Sequence, residues 1–496
     1  MGSLRRREFI KTLGIGAAAA CLPLCPPRAI AERRPMADIV VLLPGITGSV
    51  LQKDGRDVWA LSSEGIIGAL TTMGRNIDSL KLTDDSPEVD DIGDGVTATR
   101  LFPDAHLIPG LWKIDGYTGL RKWILDTFEV RVGENYFEFP YDWRRDNRVA
   151  ARRLARASHL WLKNWRERSG NASVKLVLVA HSMGGLVSRH FIEVLDGWRD
   201  TRSLITFGTP FRGSLKAVDF LCNGLQKSVG PFKLFDLTEL MRSFTSVYQL
   251  LPIYPSYDPG NGKLARIGET SAIPNIDPQR AVRALAFHRG IEKAVEDNSK
   301  RAPYVRDRYR IYPIVGTFQP TLQSARLVGG KVIASTQYPG PNTQFAYDGD
   351  GTVPRVSATP IEAREDVGPV FVAELHGSLQ NTRASLIQLE GLLAPRPSME
   401  LFRDLELPRV ALEIDDVFAA SEPILFRVRC EDPDLTLNAV IVNSTTGTEI
   451  RRRLIAPEAN DVRKATFGNL PAGTYRLTVG AQGRSQRVTD FFLVVD

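Results

Sequence analysis

The chain has 496 residues, 43% hydrophobic and 24% charged, which is room for two domains with a large buried core and an ordinary globular balance. Its formal net charge of +6 gives no basis for nucleic-acid binding, the more so because Arg5, Arg6, Arg7, Lys11 and Arg28 against Glu8 all lie before residue 32 and a chain without them carries +2. Four cysteines, Cys21, Cys25, Cys222 and Cys430, show no disulfide framework or metal-ligand spacing, so no metal and no cofactor is expected.

At the N-terminus, Arg5-Arg6-Arg7-Glu8-Phe9-Ile10-Lys11, a weakly hydrophobic Gly/Ala stretch and Ala29-Ile30-Ala31 predict a twin-arginine signal over residues 1–31, hence a periplasmic or secreted protein. Pro23 and Pro26-Pro27 end the apolar run too early for a membrane anchor. Cys21 follows alanines as a lipidated cysteine would, but Ala18 stands three before it where a larger aliphatic residue is usual.

The run from Asp38 to Leu43 reads as a buried strand entering the Pro44-Gly45 turn. In a serine hydrolase such a turn presents a backbone amide, here that of Ile46, to a developing oxyanion. Residues 51–116 show no strong period; a helix is predicted over Thr118 to Phe128 and a strand over Tyr136 to Phe139. From Ala150, Leu154, Ala157, Trp161 and Trp165 recur at helical spacing, with Arg148, Arg152, Arg153 and Arg156 on other faces; a solvated face fits them better than a lipid-binding one.

The most informative stretch is Val174 to Gly185. A continuous apolar run breaks at Ala180-His181-Ser182-Met183-Gly184, and Leu186 to Leu195 then looks helical. Strand, small-x-Ser-x-Gly turn and helix make a nucleophile elbow, with Ser182 as nucleophile and the Met183 amide as second oxyanion donor. Another strand is expected over Tyr309 to Gly316, followed by Asp348-Gly349-Asp350-Gly351. His376, the one histidine after it, follows the strand-like Val370 to Ala373. Ser182, Asp350, His376 is the chain order of α/β-hydrolase triads. Asp348 and Asp350 would face the same side of an extended stretch, so spacing alone does not choose between them.

Beyond the linker-like Ala394-Pro395-Arg396-Pro397-Ser398, short alternating runs take over at Val410 to Ile414, Ile424 to Val428, Ala439 to Val442, Tyr475 to Val479 and Phe491 to Val495. They predict an all-β, immunoglobulin-like sandwich over 398–496, with a spacer role and a surface-binding role both open. Because the candidate triad lies wholly before the linker, the catalytic domain is expected to fold and act without the sandwich.

Taken together, Pro44-Gly45 with Gly48, Pro140-Tyr141-Asp142-Trp143-Arg144, the His181 to Gly184 elbow and Gly208-Thr209-Pro210-Phe211-Arg212-Gly213-Ser214 resemble the lecithin:cholesterol acyltransferase family, which includes lysosomal phospholipase. The resemblance implies an α/β-hydrolase fold over about 36–394, a mostly parallel sheet with helices on both faces, and a cap or lid at about 215–306 in which Leu237 to Tyr254 offer apolar residues to an acyl pocket. It also favours Asp350 as the triad acid, and the appended sandwich departs from the animal members. The expected function is an exported serine hydrolase or acyltransferase on acyl lipids, with transient contact to a membrane surface. The competing readings are a general carboxylesterase or thioesterase, and a surface-binding protein with an inactive hydrolase fold.

Overall fold

A computed structural model describes residues 33–59, 78–103, 106–108, 112–229, 232–270, 273–339, 348–362, 369–393, 407–458 and 462–495. The expected export signal, Trp112's side chain and the Pro395 to Ser398 linker lie outside the described residues.

Six strands, β1 (Ile39–Leu43), β2 (Tyr136–Glu138), β3 (Leu176–His181), β4 (Thr201–Phe207), β5 (Arg310–Gly316) and β6 (Val370–Val372), form one sheet in the order β6-β5-β4-β3-β1-β2. Every pairing in it is parallel. A parallel sheet is covered on both faces, which is why β1 and β3 read as continuous apolar runs and not as alternating ones. In β1 the division is visible: Ile39, Val41 and Leu43 pack with Leu154 and Leu186 on one face, while Val40 and Leu42 pack with Leu120, Ile124 and Leu389 on the other. Those partners belong to α1 (Thr118–Thr127), α2 (Asn147–Ser169), α3 (Gly184–Val194) and, after the 215–306 segment, the helix Arg383–Leu393. Helix α2 starts where Asp146 accepts from the Arg148 amide and stops at Gly170, whose φ is 64°. Of its basic side chains, Arg152 and Arg156 pair with Asp90 and Arg148 with Asp146.

The segment 215–306 starts with helix α4 (Leu215–Asn223) and ends beyond the long helix α5 (Pro278–Ser299). Leu240, Phe244, Val247, Tyr248, Leu250 and Leu251, expected to serve an acyl pocket, are buried in the main core with the β1 and β3 side chains. Helix α5 joins the same core through Phe287 and Ile291, and Asn298 Nδ2 donates to the Glu193 carbonyl at 2.9 Å.

The Pro140 to Arg144 block fastens the loop after β1. Tyr141 Oη donates to the Pro44 carbonyl at 2.9 Å, the Tyr141 amide to Ser49 Oγ at 3.1 Å, and Trp143 Nε1 to the Ser49 carbonyl at 3.0 Å. Arg144, fully buried, forks onto Asp142 (2.6 Å) and Asp94 (2.8 Å) and donates to the Leu80 carbonyl (3.0 Å).

Strands β7 (Val410–Ile414), β8 (Val417–Ala419), β9 (Ile424–Cys430), β10 (Leu437–Asn443), β11 (Glu449–Ile455), β12 (Val462–Phe467), β13 (Gly473–Gly480) and β14 (Val488–Val495) build the second unit. They form a three-stranded sheet β7-β9-β12 and a five-stranded sheet β8-β14-β13-β10-β11 enclosing one apolar core, including Val410, Phe426, Ile441, Leu477 and Phe492. The five strands expected from the sequence are all present; β8, β11 and β12 were not anticipated. This unit is also bonded directly to the sheet-and-helix unit. Gln319 Nε2 donates to the Val410 carbonyl at 3.0 Å, Lys113 Nζ meets Asp416 at 2.6 Å and Asp490 at 2.9 Å, and Arg476 meets Asp115 at 2.5 Å. A sheet-and-helix unit folding alone, as chain order leads one to expect, would give up these bonds.

Arg144→Met is expected to lower stability by about 3 kcal/mol or more, because it strands two carboxylates and a buried carbonyl that one guanidinium serves. A urea unfolding curve checks this, and a midpoint equal to the parent's would contradict it.

Candidate active site

Strand β3 ends at His181 and helix α3 begins at Gly184, leaving only Ser182 and Met183 to reverse the chain. Ser182 takes up the reversal with φ at 51°, in the left-handed region that a residue with a Cβ enters only when its surroundings hold it there. Its amide donates to the Phe207 carbonyl at 2.9 Å, and its carbonyl accepts from Thr209 Oγ1 at 2.8 Å. A Cβ on Gly45 would lie 2.9 Å from the Ser182 Cβ, and one on Gly184 2.5 Å from the Pro44 carbonyl oxygen. Small residues at these positions are what let the β1 loop lie against the elbow.

His376 Nε2 is 2.9 Å from Ser182 Oγ, and Nδ1 is 2.7 Å from Asp350 Oδ2. All three residues are buried. An ionised carboxylate only accepts, so Nδ1 carries the imidazole proton and Nε2 is left to accept from the serine hydroxyl. Asp350 is fixed through its other oxygen, which accepts from the amides of Thr352 (3.0 Å) and Val353 (2.6 Å). The Gly208 of the Gly-Thr-Pro block, at φ 56°, passes so close that a Cβ would sit 2.7 Å from Asp350 Oδ2 and 2.9 Å from His376 Nδ1. Of the two candidate acids, Asp350 is the one that meets His376; the Asp348 side chain lies outside the described residues.

Ile46 and Met183 are buried on either side of the elbow, Ile46 in the turn after β1 and Met183 as the residue capping α3. Among the described residues neither amide donates a hydrogen bond, so both are free to serve an incoming oxygen.

A second hydrogen-bond chain was not anticipated from the sequence. The Gly45 amide donates to Tyr117 Oη (2.8 Å), which lies 3.0 Å from His181 Nδ1, and His181 Nε2 lies 3.1 Å from the carbonyl oxygen of His376. The donor directions follow from the ends of the chain. Tyr117 accepts from an amide and so gives its own proton to Nδ1, while the His376 carbonyl can only accept from Nε2–H. The chain ties together the β1 loop, the elbow and the loop carrying His376. Burial first, and then the neighbouring His376, push His181 down to about 3, so it stays neutral. No sequence signal marks Tyr117, whose partners are 72 and 64 residues away.

A cavity of about 180 Å³ opens on the far side of His376, between the two units, bounded by Lys113, Lys216 and Leu375 of one and by Leu412, Asp416 and Phe491 of the other.

The lecithin:cholesterol acyltransferase family model matches residues 79–270, a stretch that holds Pro140 to Arg144, Ser182 and Gly208 to Ser214 and ends before Asp350 and His376. No curated protein matches the chain. Among solved structures, the mature form of the Bacillus licheniformis lipase BlEst2 is similar at 12% identity, over 73% of this chain and 95% of that one, with a TM-score of 0.32. Phospholipase PlaB from Legionella pneumophila is similar at 10% identity over 92% of both chains, with a TM-score of 0.27. An immunoglobulin-like β-sandwich protein from Bacteroides vulgatus is similar at 20% identity, over 14% of this chain and 73% of that one, with a TM-score of 0.12.

Asp350→Asn is expected to keep the fold and lower kcat on a soluble ester by about four orders of magnitude, since an amide no longer fixes the imidazole tautomer. Tyr117→Phe leaves the Gly45 amide and His181 Nδ1 without their partner and is expected to lower kcat about tenfold. If the two losses come out in the reverse order, the acid is misassigned.

Acid should destabilise the fold through its buried histidines. Unfolded histidine takes up a proton near pH 6.5, whereas burial holds His181 at about 3 and His190 at about 4, so below 6.5 the unfolded chain binds more protons. Stability is then fully present above 6.5 and falls, at about 1.4 kcal/mol per pH unit for each histidine, as the pH drops toward 4. Urea midpoints measured between pH 7 and 5 check it; a flat profile would mean these histidines are protonated in the fold.

Proposed function

We propose that this chain, which carries a lecithin:cholesterol acyltransferase-like segment over residues 79–270, is a serine hydrolase or acyltransferase acting on lipid acyl esters. The observation that carries the reading is the continuous contact from Ser182 Oγ to His376 Nε2 (2.9 Å) and from His376 Nδ1 to Asp350 (2.7 Å) beside two unengaged amides.

A serine hydroxyl is a poor nucleophile at neutral pH, so its proton must leave as the bond to carbon forms. His376 Nε2 takes that proton while Ser182 Oγ attacks the ester carbonyl, and Asp350 stabilises the resulting imidazolium. The carbonyl oxygen, now negative, is met by the amides of Ile46 and Met183. Collapse of the intermediate breaks the ester bond, and the Nε2 proton passes to the departing alkoxide, leaving an acyl-serine. A second acceptor, water or a lipid alcohol, then gives its proton to Nε2 and attacks the acyl-serine, returning Ser182. Water makes the reaction a phospholipase or esterase reaction; an alcohol makes it an acyl transfer. His181 remains neutral throughout, so no second cation competes with the imidazolium 4.9 Å away.

The reading includes twin-arginine export to the periplasm or beyond, a catalytic unit over about 36–394 with a sandwich over 398–496, and transient contact with a lipid surface during turnover. The acyl-lipid substrate class rests on the family segment and the Pro140 to Arg144 block; without them, a general carboxylesterase or thioesterase would use the same residues.

Ser182→Ala is expected to abolish fluorophosphonate labelling and to lower kcat roughly a million-fold while leaving the fold intact. Product analysis on a phospholipid with and without a sterol then separates hydrolysis from transfer. Near-normal turnover by the folded variant would overturn the reading.

A further inference from the structure

The loop from Ala373 to Ser378, which carries His376, follows β6 and is bonded on two sides. On the catalytic side, the Asp115 amide donates to the Gly377 carbonyl at 2.8 Å, and Gln380 Nε2 donates to the same oxygen at 3.0 Å. A Cβ on Gly377 would overlap the Lys113 carbonyl, so the loop is pressed against this backbone. On the other side the loop is bonded to the sandwich. The Ala373 amide donates to Gln486 Oε1 at 3.2 Å, and Ser378 Oγ donates to the Thr489 carbonyl at 3.3 Å. Glu374 Oε1 accepts from the Thr489 amide at 3.0 Å and from the Leu375 amide at 2.8 Å.

Glu374 therefore joins β14 to the residue immediately before His376 through a single oxygen. It is 2% exposed, and burial, with Asp490 and Asp115 nearby, pushes its carboxyl well above the ordinary carboxylate range. Held toward its neutral form, the carboxyl keeps an oxygen for the two amides and brings less negative charge into the interface. Around this contact the Lys113 ammonium lies between Asp416 and Asp490, and Arg476 holds Asp115, whose amide carries the opposite side of the loop.

We propose that the C-terminal sandwich is a positioning part of the catalytic centre, with Glu374 the positioning residue through which β14 sets the loop that presents His376. This rests on the reading of Ser182 and His376 as nucleophile and base. A serine–imidazole pair works only over a few tenths of an ångström, and small displacements cost rate steeply. The sandwich thus acts on the proton transfer and not on the capture of substrate.

The test measures full-length variants on a soluble p-nitrophenyl ester, with active sites counted by fluorophosphonate end-point labelling so that misfolded protein is excluded from kcat. Glu374→Ala is expected to lower kcat per labelled site about tenfold or more, with KM unchanged, and to slow labelling to the same extent. Glu374→Gln, whose amide oxygen can accept from both backbone amides, is expected to restore kcat to within about threefold of the parent. A purely structural role would instead reduce the number of labelled sites at constant kcat per site, and that result overturns the proposal. Should Glu374→Ala not fold, Gln486→Ala combined with Ser378→Ala removes two other sandwich bonds; a severalfold fall in kcat per site at constant KM supports the proposal, and an unchanged kcat overturns it. If the unaltered chain takes no label, the functional reading fails and this proposal with it, whereas labelling with unchanged turnover in the variants sinks this proposal alone.

Discussion

The left-handed backbone of Ser182 is the constraint that the rest of the site depends on. A serine at φ 51° costs on the order of 1–3 kcal/mol against an ordinary conformation, and it persists only where neighbours over-determine it. Here the neighbours are the Phe207 carbonyl, Thr209 Oγ1 and the backbone of Pro44 and Gly45, each pressed against the turn. The Gly-Thr-Pro block has two tasks in this account, because Thr209 grips the Ser182 carbonyl while Gly208 leaves room for Asp350 and His376. The Pro140 to Arg144 block has a third task, since Tyr141 and Trp143 fix the Pro44 to Ser49 loop that carries Ile46. Motifs separated in the chain are thus parts of one brace around a single strained residue.

Electrostatics explains why a second buried histidine can stand beside His376. Two imidazoles with centroids 4.9 Å apart would repel strongly if both were charged in a dry interior. His181 is prevented from charging by burial and by the neighbouring His376 ring, which outweigh its hydrogen bond to the His376 carbonyl. His376 differs in having the Asp350 carboxylate on Nδ1, so a charge on this ring has a partner. The two rings occupy similar surroundings and differ by one carboxylate.

Much of this was legible in the sequence because it is local. The apolar runs of β1 and β3, the elbow between β3 and α3, and the order Ser182, Asp350, His376 are readable without knowing any contact across the fold. What escaped was set by distant partners. Arg463 hid strand β12, because the buried face of that strand is Arg463, Ala465 and Phe467, and the guanidinium satisfies the Leu435 and Pro433 carbonyls where an apolar side chain was to be expected. Strand β11 is an exposed edge dominated by Arg451, Arg452 and Arg453, so it lacks the alternation that marks a half-buried strand. Leu240, Phe244 and their neighbours have the apolar pattern of a lid and of a core helix alike, and only packing assigns them to the core. Tyr117 and Glu374 look like any loop tyrosine and any acidic residue until their partners are known.

The contact between the two units is better suited to setting an orientation than to adding stability. Bringing Lys113, Asp416 and Asp490 out of water costs several kcal/mol per ion, and their mutual attraction repays this only when the geometry is kept. A slip of the sandwich would break both Lys113 contacts and the pair between Arg476 and Asp115, leaving charges without partners in a narrow interface. An apolar contact of the same size would tolerate small sliding better, because the hydrophobic effect is non-directional and follows the area buried. A charged contact penalises it. For a strand bonded to Glu374, two residues before His376, resistance to sliding is the property the geometry needs, and it accounts for ions being placed where hydrophobic side chains would have been the cheaper way to hold two domains together.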